Sequence, residues 1–445
     1  MNQQIRSGHV LILGGGASGV LMAAHLLHGG PCRVTLVDPA PQPGRGVAYA
    51  TDRPQHLLNT RIRSMSAWDD DPGHFRRWLE GQPDVPDGEF MPRGIYGRYL
   101  TSLLDPWRGD TARLRIVRAT AVRLDEHPRG VVAALEDGQL VIADQAVLAT
   151  GHVRPAPDPA GLVAGAWDDL PPPAPDARVV IVGTGLSMVD QVLTLLAQGH
   201  RGEIVALSRR GLLPRPHAEP GPGITLSVAD LPLGAPASAL MRWVRDLAGR
   251  VQAGGGTWQD AVDAIRPQIR RLWRALPPAE RARFLRHAAS WWEVHRHRLP
   301  PASGLAIDAA VASGRLRVIR AGFIGAELDD GGLVAVVQPP GGPRQALAAG
   351  RIIDCRGIRR DPAAHASALM AGLLERGAAR IDPLGIGPEV TGACQLIGRN
   401  GTPSQRLHAI GPVSRAAFWE ITAVPDIRAQ VAELAGRLAA ICASR

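Results

Sequence analysis

The sequence predicts an α/β protein with two β-α-β units, the second of which carries a helical insertion. Three observations predict this fold. An apolar run at residues 9–13 ends in a glycine-rich turn, and a helical pattern and a second apolar run at residues 33–38 follow it. The same order of run, glycine turn, helix and run recurs from residue 178. Apolar positions then recur at helical spacing between about residues 235 and 301.

The composition narrows the class of protein. A chain of 445 residues predicts two or three domains, and 45% hydrophobic with 20% charged residues is ordinary for a soluble globular protein. The net charge is +9, and all 50 basic residues are arginine because the sequence contains no lysine. Chemistry that needs a Schiff-base lysine or a P-loop lysine is therefore excluded. The arginines form no basic tail or recognition motif, so we expect no nucleic-acid partner.

Cysteine usage and apolar runs bear on the cellular compartment. The four cysteines, Cys32, Cys355, Cys394 and Cys442, have neither metal-ligand nor redox spacing, which fits a reducing cytoplasm. No stretch of the sequence is long and apolar enough to cross a membrane. We therefore expect a cytoplasmic protein with no membrane partner. The sequence leaves the oligomeric state open.

The first glycine turn has the spacing Gly-x-Gly-x-x-Gly directly after the first strand. Residues without side chains allow the sharp bend, the close approach of a pyrophosphate and the packing of the helix on the strand. The N-terminus of the following helix presents free N–H groups to the phosphates. An acid after the second strand would accept hydrogen bonds from an adenosine ribose. The predicted dinucleotide contacts are Gly14, Gly16, Ala17, Ser18, Gly19 and Asp38.

A second turn, Gly183-x-Gly185, follows the strand at residues 179–182, and Met188 takes the place of the third glycine. The next strand ends in Ser208-Arg209-Arg210, where an acid would select NAD. Arginine there suits the 2′-phosphate of NADP, because its planar fork pairs with phosphate. The turn therefore predicts NADPH as the second cofactor, with NADH as the alternative. Because NADPH has its own place, we assign the first turn to FAD.

A third motif, Ala149-Thr150-Gly151, ends a strand between the two turns. It is typical of flavoproteins with two dinucleotide domains, at the point where the chain crosses from one domain to the other. We predict two Rossmann-like dinucleotide-binding domains, of which the FAD domain is discontinuous. Its parts are residues 1–175, with Thr150 and Gly151 as cofactor contacts, and residues 356–445. The NAD(P)H domain spans residues 176–355 and contains the α-helical insertion at about residues 232–304.

Nine further segments resemble a bacterial family of FAD/NAD(P)-binding proteins that includes flavin-dependent urate hydroxylases. The resemblance covers essentially the whole chain. The segments are GVAY at 46–49, HLLN at 56–59, MSA at 65–67, DPGHF at 71–75, PRGIYGRY at 92–99, SRRGLLP at 208–214, WWEVHRHR at 291–298, GP at 411–412 and FWEITAVPDI at 418–427. One departure is Arg356, where the resemblance implies a small hydroxylated residue.

The resemblance also implies which residues approach the flavin. Gly46 and Tyr49 are expected beside the flavin, and a loop from Asn59 to Ser66 is expected near its isoalloxazine ring. From the C-terminal side, Gly411 and the helix that begins after Thr422 are expected to close over it. A helix start there would stabilise negative charge on the reduced flavin. The six cofactor contacts implied in this way are Gly46, Tyr49, Asn59, Ser66, Gly411 and Thr422.

These features together predict an FAD-dependent, NAD(P)H-consuming monooxygenase that hydroxylates a small substrate with O₂. Urate is the specific substrate that the resemblance implies. An amine N-hydroxylase or another flavin oxidoreductase is the alternative enzyme, because N-hydroxylases also have two dinucleotide domains. A flavin-binding regulatory or partner-docking module without catalysis is the alternative of another class.

One histidine is the candidate catalytic or substrate-orienting residue, namely His295 in the Trp-Trp-x-x-His-x-His segment. His297 lies two residues further on, and two such side chains cannot point the same way from a helix. No acid or cysteine cluster joins them in sequence, so we predict no metal site.

Overall fold

The computed structural model describes residues 8–152, 156–219, 221–357 and 362–443. The strands are β1 (His9–Leu13), β2 (Arg33–Val37), β3 (Leu114–Val117), β4 (Ala121–His127), β5 (Gly130–Leu135), β6 (Leu140–Ala143), β7 (Gln145–Leu148), β8 (Val163–Gly165), β9 (Val179–Val182), β10 (Ile204–Ser208), β11 (Leu316–Arg320), β12 (Gly322–Asp329), β13 (Gly332–Gln338), β14 (Gln345–Ala348), β15 (Arg351–Asp354), β16 (Gln395–Ile397) and β17 (Pro403–Ala409).

The helices are α1 (Ala17–Gly29), α2 (Gly46–Tyr49), α3 (His74–Glu80), α4 (Arg93–Ser102), α5 (Leu186–Ala197), α6 (Ala237–Ala253), α7 (Trp258–Ile265), α8 (Ile269–Ala275), α9 (Pro278–His287), α10 (Ala289–Arg296), α11 (Pro301–Ala312), α12 (Ala368–Glu375), α13 (Arg415–Phe418) and α14 (Val424–Ala443). Within the described residues, no helix has the length and apolar character that crossing a membrane requires.

The chain forms two compact units. The first comprises residues 1–52, 60–154 and 360–445, and the second comprises residues 53–59 and 155–359. The sequence prediction differs from this division at residues 53–59, 155–175 and 356–359, which it gave to the first domain. β8 lies in a proline-rich stretch of the chain and pairs with β15 at the edge of a sheet. An edge strand tolerates flanking prolines because one of its sides needs no hydrogen-bond partners.

The first unit is built on a six-stranded sheet in the order β16-β17-β7-β1-β2-β3. Its pairs are parallel except for the antiparallel pair of β16 and β17. All five residues of β1 are buried, as expected for a central parallel strand covered on both faces. Strands β4, β5 and β6 form a separate antiparallel meander. Helices α1 and α14 pack against each other in this unit.

The second unit is built on a five-stranded parallel sheet in the order β11-β10-β9-β15-β8. One face carries an apolar core that includes Val179, Ile181 and Met188, and the other carries a core that includes Val180 and Val182. Strands β12, β13 and β14 form an antiparallel meander. Helices α6 to α11 lie between β10 and β11 in the chain and form the predicted insertion, which continues beyond its expected end to Ala312.

The two units repeat the same order of elements. Each has a strand, a helix and a strand, then an inserted segment, a further strand, a three-stranded meander and a last parallel strand. In the first unit these are β1, α1, β2, β3, β4 to β6 and β7; in the second they are β9, α5, β10, β11, β12 to β14 and β15. The prediction of an α/β fold with Rossmann-like units and a helical region is confirmed.

Two buried histidines lie on the sheet of the first unit. At His9, Nε2–H donates to Thr35 Oγ1 at 2.8 Å, and Arg33 donates to Nδ1 at 2.8 Å. Burial, assisted by the charge of Arg33, lowers the pKa of His9 from 6.5 to about 4. The His408 ring bonds through Nε2 to Gln145 Oε1 at 3.1 Å, and burial lowers its pKa to about 4. Both rings are therefore neutral in the folded protein at neutral pH.

We predict that acid destabilises the first unit between pH 6.5 and pH 4. The folded pKa values lie below the ordinary value, so unfolding takes up protons, and the stability present above pH 6.5 is lost as the pH falls. At pH 5 the expected loss is about 2 kcal/mol for each histidine. Denaturant unfolding followed by circular dichroism at pH 7 and pH 5 measures it. The His9→Gln/His408→Gln double variant is the control, and a pH dependence equal to that of the wild type would contradict the assignment.

Candidate dinucleotide-binding sites

The first glycine turn packs β1, β7 and α1 tightly together. Gly14 has a φ of +106°, which favours glycine, and its N–H donates to the Val37 carbonyl at 2.9 Å. A Cβ on Gly14 would lie 2.5 Å from the Ala149 carbonyl oxygen. A Cβ on Gly19 would lie 1.8 Å from the Gly14 carbonyl oxygen. The first and third glycines are therefore required by the fold itself.

The middle glycine of the turn is different, because its surroundings are open. Gly16 has φ −69° and ψ −167°, a conformation that any residue can adopt. The nearest atom to a Cβ on Gly16 would be the Gly46 Cα, at 3.7 Å. No side chain caps the N-terminus of α1. Two facing glycines thus leave a cradle of backbone in front of a helix start, which fits the pyrophosphate of a dinucleotide.

Asp38 lies beside this cradle at the carboxyl end of β2. Its carboxylate accepts hydrogen bonds from Gly15 N at 2.5 Å and from Ala40 N at 2.8 Å. These two bonds fix the position of the carboxylate, and each oxygen keeps a further lone pair. The arrangement fits the predicted contact of Asp38 with the ribose hydroxyls of FAD.

The segment after β17 reaches the first turn of α1. Gly411 has a φ of +66°, and a Cβ on it would lie 2.3 Å from Ser18 Oγ. Its N–H donates to Gln430 Oε1 of α14 at 2.8 Å. Thr422 lies two residues before α14, and its N–H donates to the Glu420 carbonyl at 2.7 Å. The structure therefore brings Gly411 and Ser18, both predicted FAD contacts, together in the first unit.

The predicted loop from Asn59 to Ser66 is divided between the two units. Asn59 belongs to the second unit, where its carbonyl accepts a hydrogen bond from His217 Nε2 at 3.0 Å. Ser66 is fully buried in the first unit, and its Oγ donates to the Asp71 carbonyl at 2.6 Å. Trp68 N donates to the same Ser66 Oγ at 3.1 Å. The Ser66 hydroxyl thus closes a local turn, and the flavin contacts of Asn59 and Ser66 stay predictions.

Other predicted FAD contacts lie at the ends of elements of the first unit. Gly46 begins α2, and Tyr49 ends it with its ring 5.0 Å from the ring of Tyr96. Thr150 and Gly151 follow β7, and Gly151 has a φ of +69°. The flavin contacts of these residues stay predictions.

The second glycine turn has the same build as the first. Gly183 has a φ of +119°, and a Cβ on it would lie 2.6 Å from the Cys355 carbonyl oxygen. A Cβ on Gly185 would meet nothing within 4 Å, and no side chain caps the N-terminus of α5. Thr184 Oγ1 donates to the Leu212 carbonyl at 2.7 Å and shares a second hydrogen bond with Ser208 Oγ at 2.9 Å. This open backbone also fits a dinucleotide pyrophosphate.

Met188 fills the place that a third glycine would have left empty. It is fully buried in the apolar core between α5 and the sheet, beside Val179 and Ile181. A side chain at this position is therefore part of the packing of the second unit. It leaves the opening at Gly185 unchanged.

The two predicted 2′-phosphate ligands have different surroundings. Arg210 Nη2 donates to the Arg286 and His287 carbonyls at the end of α9, at 3.2 and 3.1 Å. The Arg209 side chain is exposed directly after β10. Arg210 thus stabilises the C-terminus of a helix. Arg209 is the one of the pair whose guanidinium is presented to solvent.

His295, the candidate catalytic residue, lies in α10 of the helical insertion. Its Nδ1–H donates to the Trp291 carbonyl at 2.7 Å, and its ring lies edge-on to Trp258 at 5.0 Å between centroids. Its Nε2 remains as the atom for a substrate contact, which stays a prediction. Sequence reasoning missed the neighbouring Arg298, whose side chain is 3% exposed and paired with Asp263. Nothing in the sequence pattern separates this buried arginine from the exposed ones.

Other classes of site have no support in the residues that the structure describes. These residues contain no group of three or more histidine, cysteine, aspartate or glutamate side chains that could hold a metal ion. All four cysteines are buried and free of disulfide bonds.

Residues 11–153 match the sequence model of a family described as FAD-NAD(P)-binding. The matched segment begins in β1 and contains the first glycine turn, Asp38 and the Ala149-Thr150-Gly151 motif. The prediction of an FAD- and NAD(P)-binding domain agrees with this match. No curated protein sequence matches the chain significantly.

The fold of the whole chain is that of known flavoproteins. It is similar to an ornithine hydroxylase from Pseudomonas aeruginosa in its reduced form, with 14% identity, a TM-score of 0.62 and coverage of 98% of this chain and 99% of the other. An L-lysine 6-monooxygenase from Pseudomonas syringae has 16% identity, a TM-score of 0.61 and the same coverage. An ornithine N-hydroxylase from Kutzneria sp. 744 has 13% identity, a TM-score of 0.60 and coverage of 97% and 99%. At these identities the similarity establishes the fold.

We predict that Gly16→Val abolishes retention of FAD while the protein still folds. The valine methyl groups would fill the cradle, whereas the backbone angles and the 3.7 Å clearance accommodate a Cβ. The visible absorption spectrum and circular dichroism of the purified variant measure the two properties. Gly185→Val is the matched control, because a Cβ there also enters open space, but in the second unit. A yellow Gly16→Val protein would refute the placement of FAD at this turn.

Proposed function

We propose that this protein is an FAD-dependent monooxygenase that consumes NADPH and O₂ and hydroxylates a small substrate. The observation that carries the proposal is the presence of two open glycine turns of the same build in one chain. The first turn is followed by Asp38, suited to a ribose, and the second by Ser208 and Arg209, suited to a 2′-phosphate. Two different dinucleotides are thus accommodated, as an oxidoreductase with FAD and NADPH requires.

The residues of the chain bind and orient the cofactors. When bound, FAD supplies the redox chemistry, accepting a hydride from NADPH and passing electrons to O₂. The N-terminus of α1 faces the pyrophosphate position in the first unit, and Asp38 holds the adenosine ribose. The N-terminus of α5 and Arg209 hold NADPH in the second unit. Gly411 and the start of α14 limit the flavin site on the C-terminal side.

Two substrate classes are candidates. A primary amine is favoured by the fold, because the similar structures are named for the hydroxylation of ornithine and lysine. Urate is favoured by the resemblance of the nine sequence segments to the family that includes urate hydroxylases. The arginine-rich composition suits the anionic urate, whereas an amine must lose its proton before its nitrogen is hydroxylated. Coupled consumption of NADPH and O₂ in the presence of each class decides between them.

We expect NADPH to bleach the yellow protein in the absence of O₂ and to support O₂ uptake in air, which a substrate amine or urate stimulates. Absorbance near the flavin bands and an oxygen electrode measure the two effects. Gly185→Val is expected to keep FAD but to lose reduction by NADPH, while dithionite still reduces it. A yellow protein that NADPH neither bleaches nor drives to consume O₂, with all candidate substrates, would favour a flavin-binding module without catalysis.

We also expect Arg209→Gln to weaken NADPH binding by about tenfold and to leave NADH binding unchanged, because the lost contact is to the 2′-phosphate. Stopped-flow reduction of the flavin at increasing NADPH and NADH concentrations measures both affinities. Arg210→Gln is the matched variant, because the Arg210 guanidinium is engaged with the end of α9. The Arg210→Gln variant is expected to have a lower thermal stability and nearly the wild-type preference for NADPH over NADH. Equal reduction by NADH and NADPH in the wild type would contradict the role of Arg209.

A further inference from the structure

The strand register relates the two units residue by residue at the ends of their central strands. In the first unit, Leu13 of β1 pairs with Leu148 of β7. In the second, Val182 of β9 pairs with Asp354 of β15. In each pair, one residue comes directly before the glycine turn and the other is the last residue of the neighbouring strand. The residues that follow the two pairs therefore occupy equivalent positions.

The contacts of the glycine turns identify one such pair of positions. A Cβ on Gly14 would lie 3.1 Å from Thr150 N, and a Cβ on Gly183 would lie 3.1 Å from Arg356 N. The agreement makes Thr150 and Arg356 equivalent. The FAD unit thus has a small hydroxylated residue at this position, and the NADPH unit has an arginine.

The Arg356 side chain is held in a fixed orientation. Its Nε donates to Asp354 Oδ1 at 3.0 Å, and its Nη2 donates to Asp354 Oδ2 at 2.7 Å. Its guanidinium carbon lies 5.3 Å from the centre of the Phe323 ring. The arginine side chain is 41% exposed, whereas that of Asp354 is 11% exposed. Two of its five N–H donors are used by the carboxylate, which leaves three for a ligand in a guanidinium that is already ordered.

At a second equivalent position, the residue of the second unit is again more positive than that of the first. In each unit the first glycine of the turn donates its N–H to a carbonyl of the neighbouring strand, at 2.9 Å in the first unit and 2.8 Å in the second. The residues that follow these carbonyls are Asp38 and Ser208. From the first unit to the second, Ser208 in place of Asp38 removes a negative charge. Arg356 in place of Thr150 adds a positive charge. Asp354 in place of Leu148 returns one negative charge, so the second unit is more positive by one unit charge over the three positions.

We propose that Arg356 binds a phosphoryl group of the adenosine half of NADPH. The inference rests on the proposed use of NADPH, and it adds a ligand that the glycine turn and Arg209 do not include. NADPH carries a 2′-phosphate that FAD lacks, and the arginine stands only in the unit assigned to NADPH. β10 and β15 are both neighbours of β9, so their ends lie about 10 Å apart. One phosphate between them is within reach of the long side chains of Arg209 and Arg356.

Titration calorimetry of the FAD-loaded protein with 2′,5′-ADP and with 5′-AMP tests the proposal without a catalytic readout. Arg356→Met keeps an unbranched apolar side chain and removes the charge, and it is expected to weaken binding by about tenfold or more. Arg356→Thr installs the residue of the first unit and is expected to do the same. Arg123→Met is the matched control, because Arg123 also pairs with an aspartate two residues away but lies in the first unit. It is expected to bind both nucleotides as the wild type does.

The two nucleotides separate the phosphates. A loss confined to 2′,5′-ADP supports the proposal and assigns Arg356 to the 2′-phosphate, and an equal loss with both supports it and assigns the residue to the 5′-phosphate. Wild-type affinity for both nucleotides in Arg356→Met and Arg356→Thr overturns the proposal while leaving the NADPH-dependent function intact. A wild-type protein that binds neither nucleotide overturns that function, and this inference with it. A circular dichroism spectrum and a thermal unfolding curve like those of the wild type verify that each variant has folded.

Discussion

The close approach of each glycine turn to the end of the neighbouring parallel strand is the constraint on which the rest of the structure depends. A side chain on Gly14 or on Gly183 would collide with a carbonyl of that strand, at 2.5 and 2.6 Å respectively. Because the backbone itself fills this contact, the following helix must start at the carboxyl edge of the sheet with its amide groups directed outward. The positions of Asp38, Arg209 and Arg356 all follow from it, since each residue lies just after the end of a strand that neighbours the turn.

Sequence reasoning located the elements around these turns closely, because parallel strands buried on both faces leave an unbroken apolar run. The predicted strands at residues 9–13 and 179–182 have the bounds found in the structure. Strands without such a run were not predicted. β8 was hidden in a proline-rich segment, since an edge strand of three residues has no apolar run of its own. β4 of the meander also lacks such a run, because Leu124 is the one buried residue among its seven.

The candidate sites could be predicted only where a motif requires backbone geometry. The pyrophosphate contacts predicted at Gly16 and Gly185 need backbone without a side chain. The spacing of glycines in the sequence predicts such backbone directly. By contrast, the sequence could not distinguish Arg209 from Arg210, because only the folded insertion engages the second of them. It also could not place Asn59, whose partner His217 is far away in the chain.

The unequal surroundings of the glycines within one turn have a consequence for how such motifs evolve. Gly14 and Gly19 would be retained by selection for folding alone, even in a descendant that had lost its cofactor. Gly16 and Gly185 have no such protection, because the protein itself leaves room for a side chain at both. If a descendant lost its ligand, substitutions would therefore accumulate first at the middle glycine of the turn. In this chain, glycine occupies the middle position of the turn in both units.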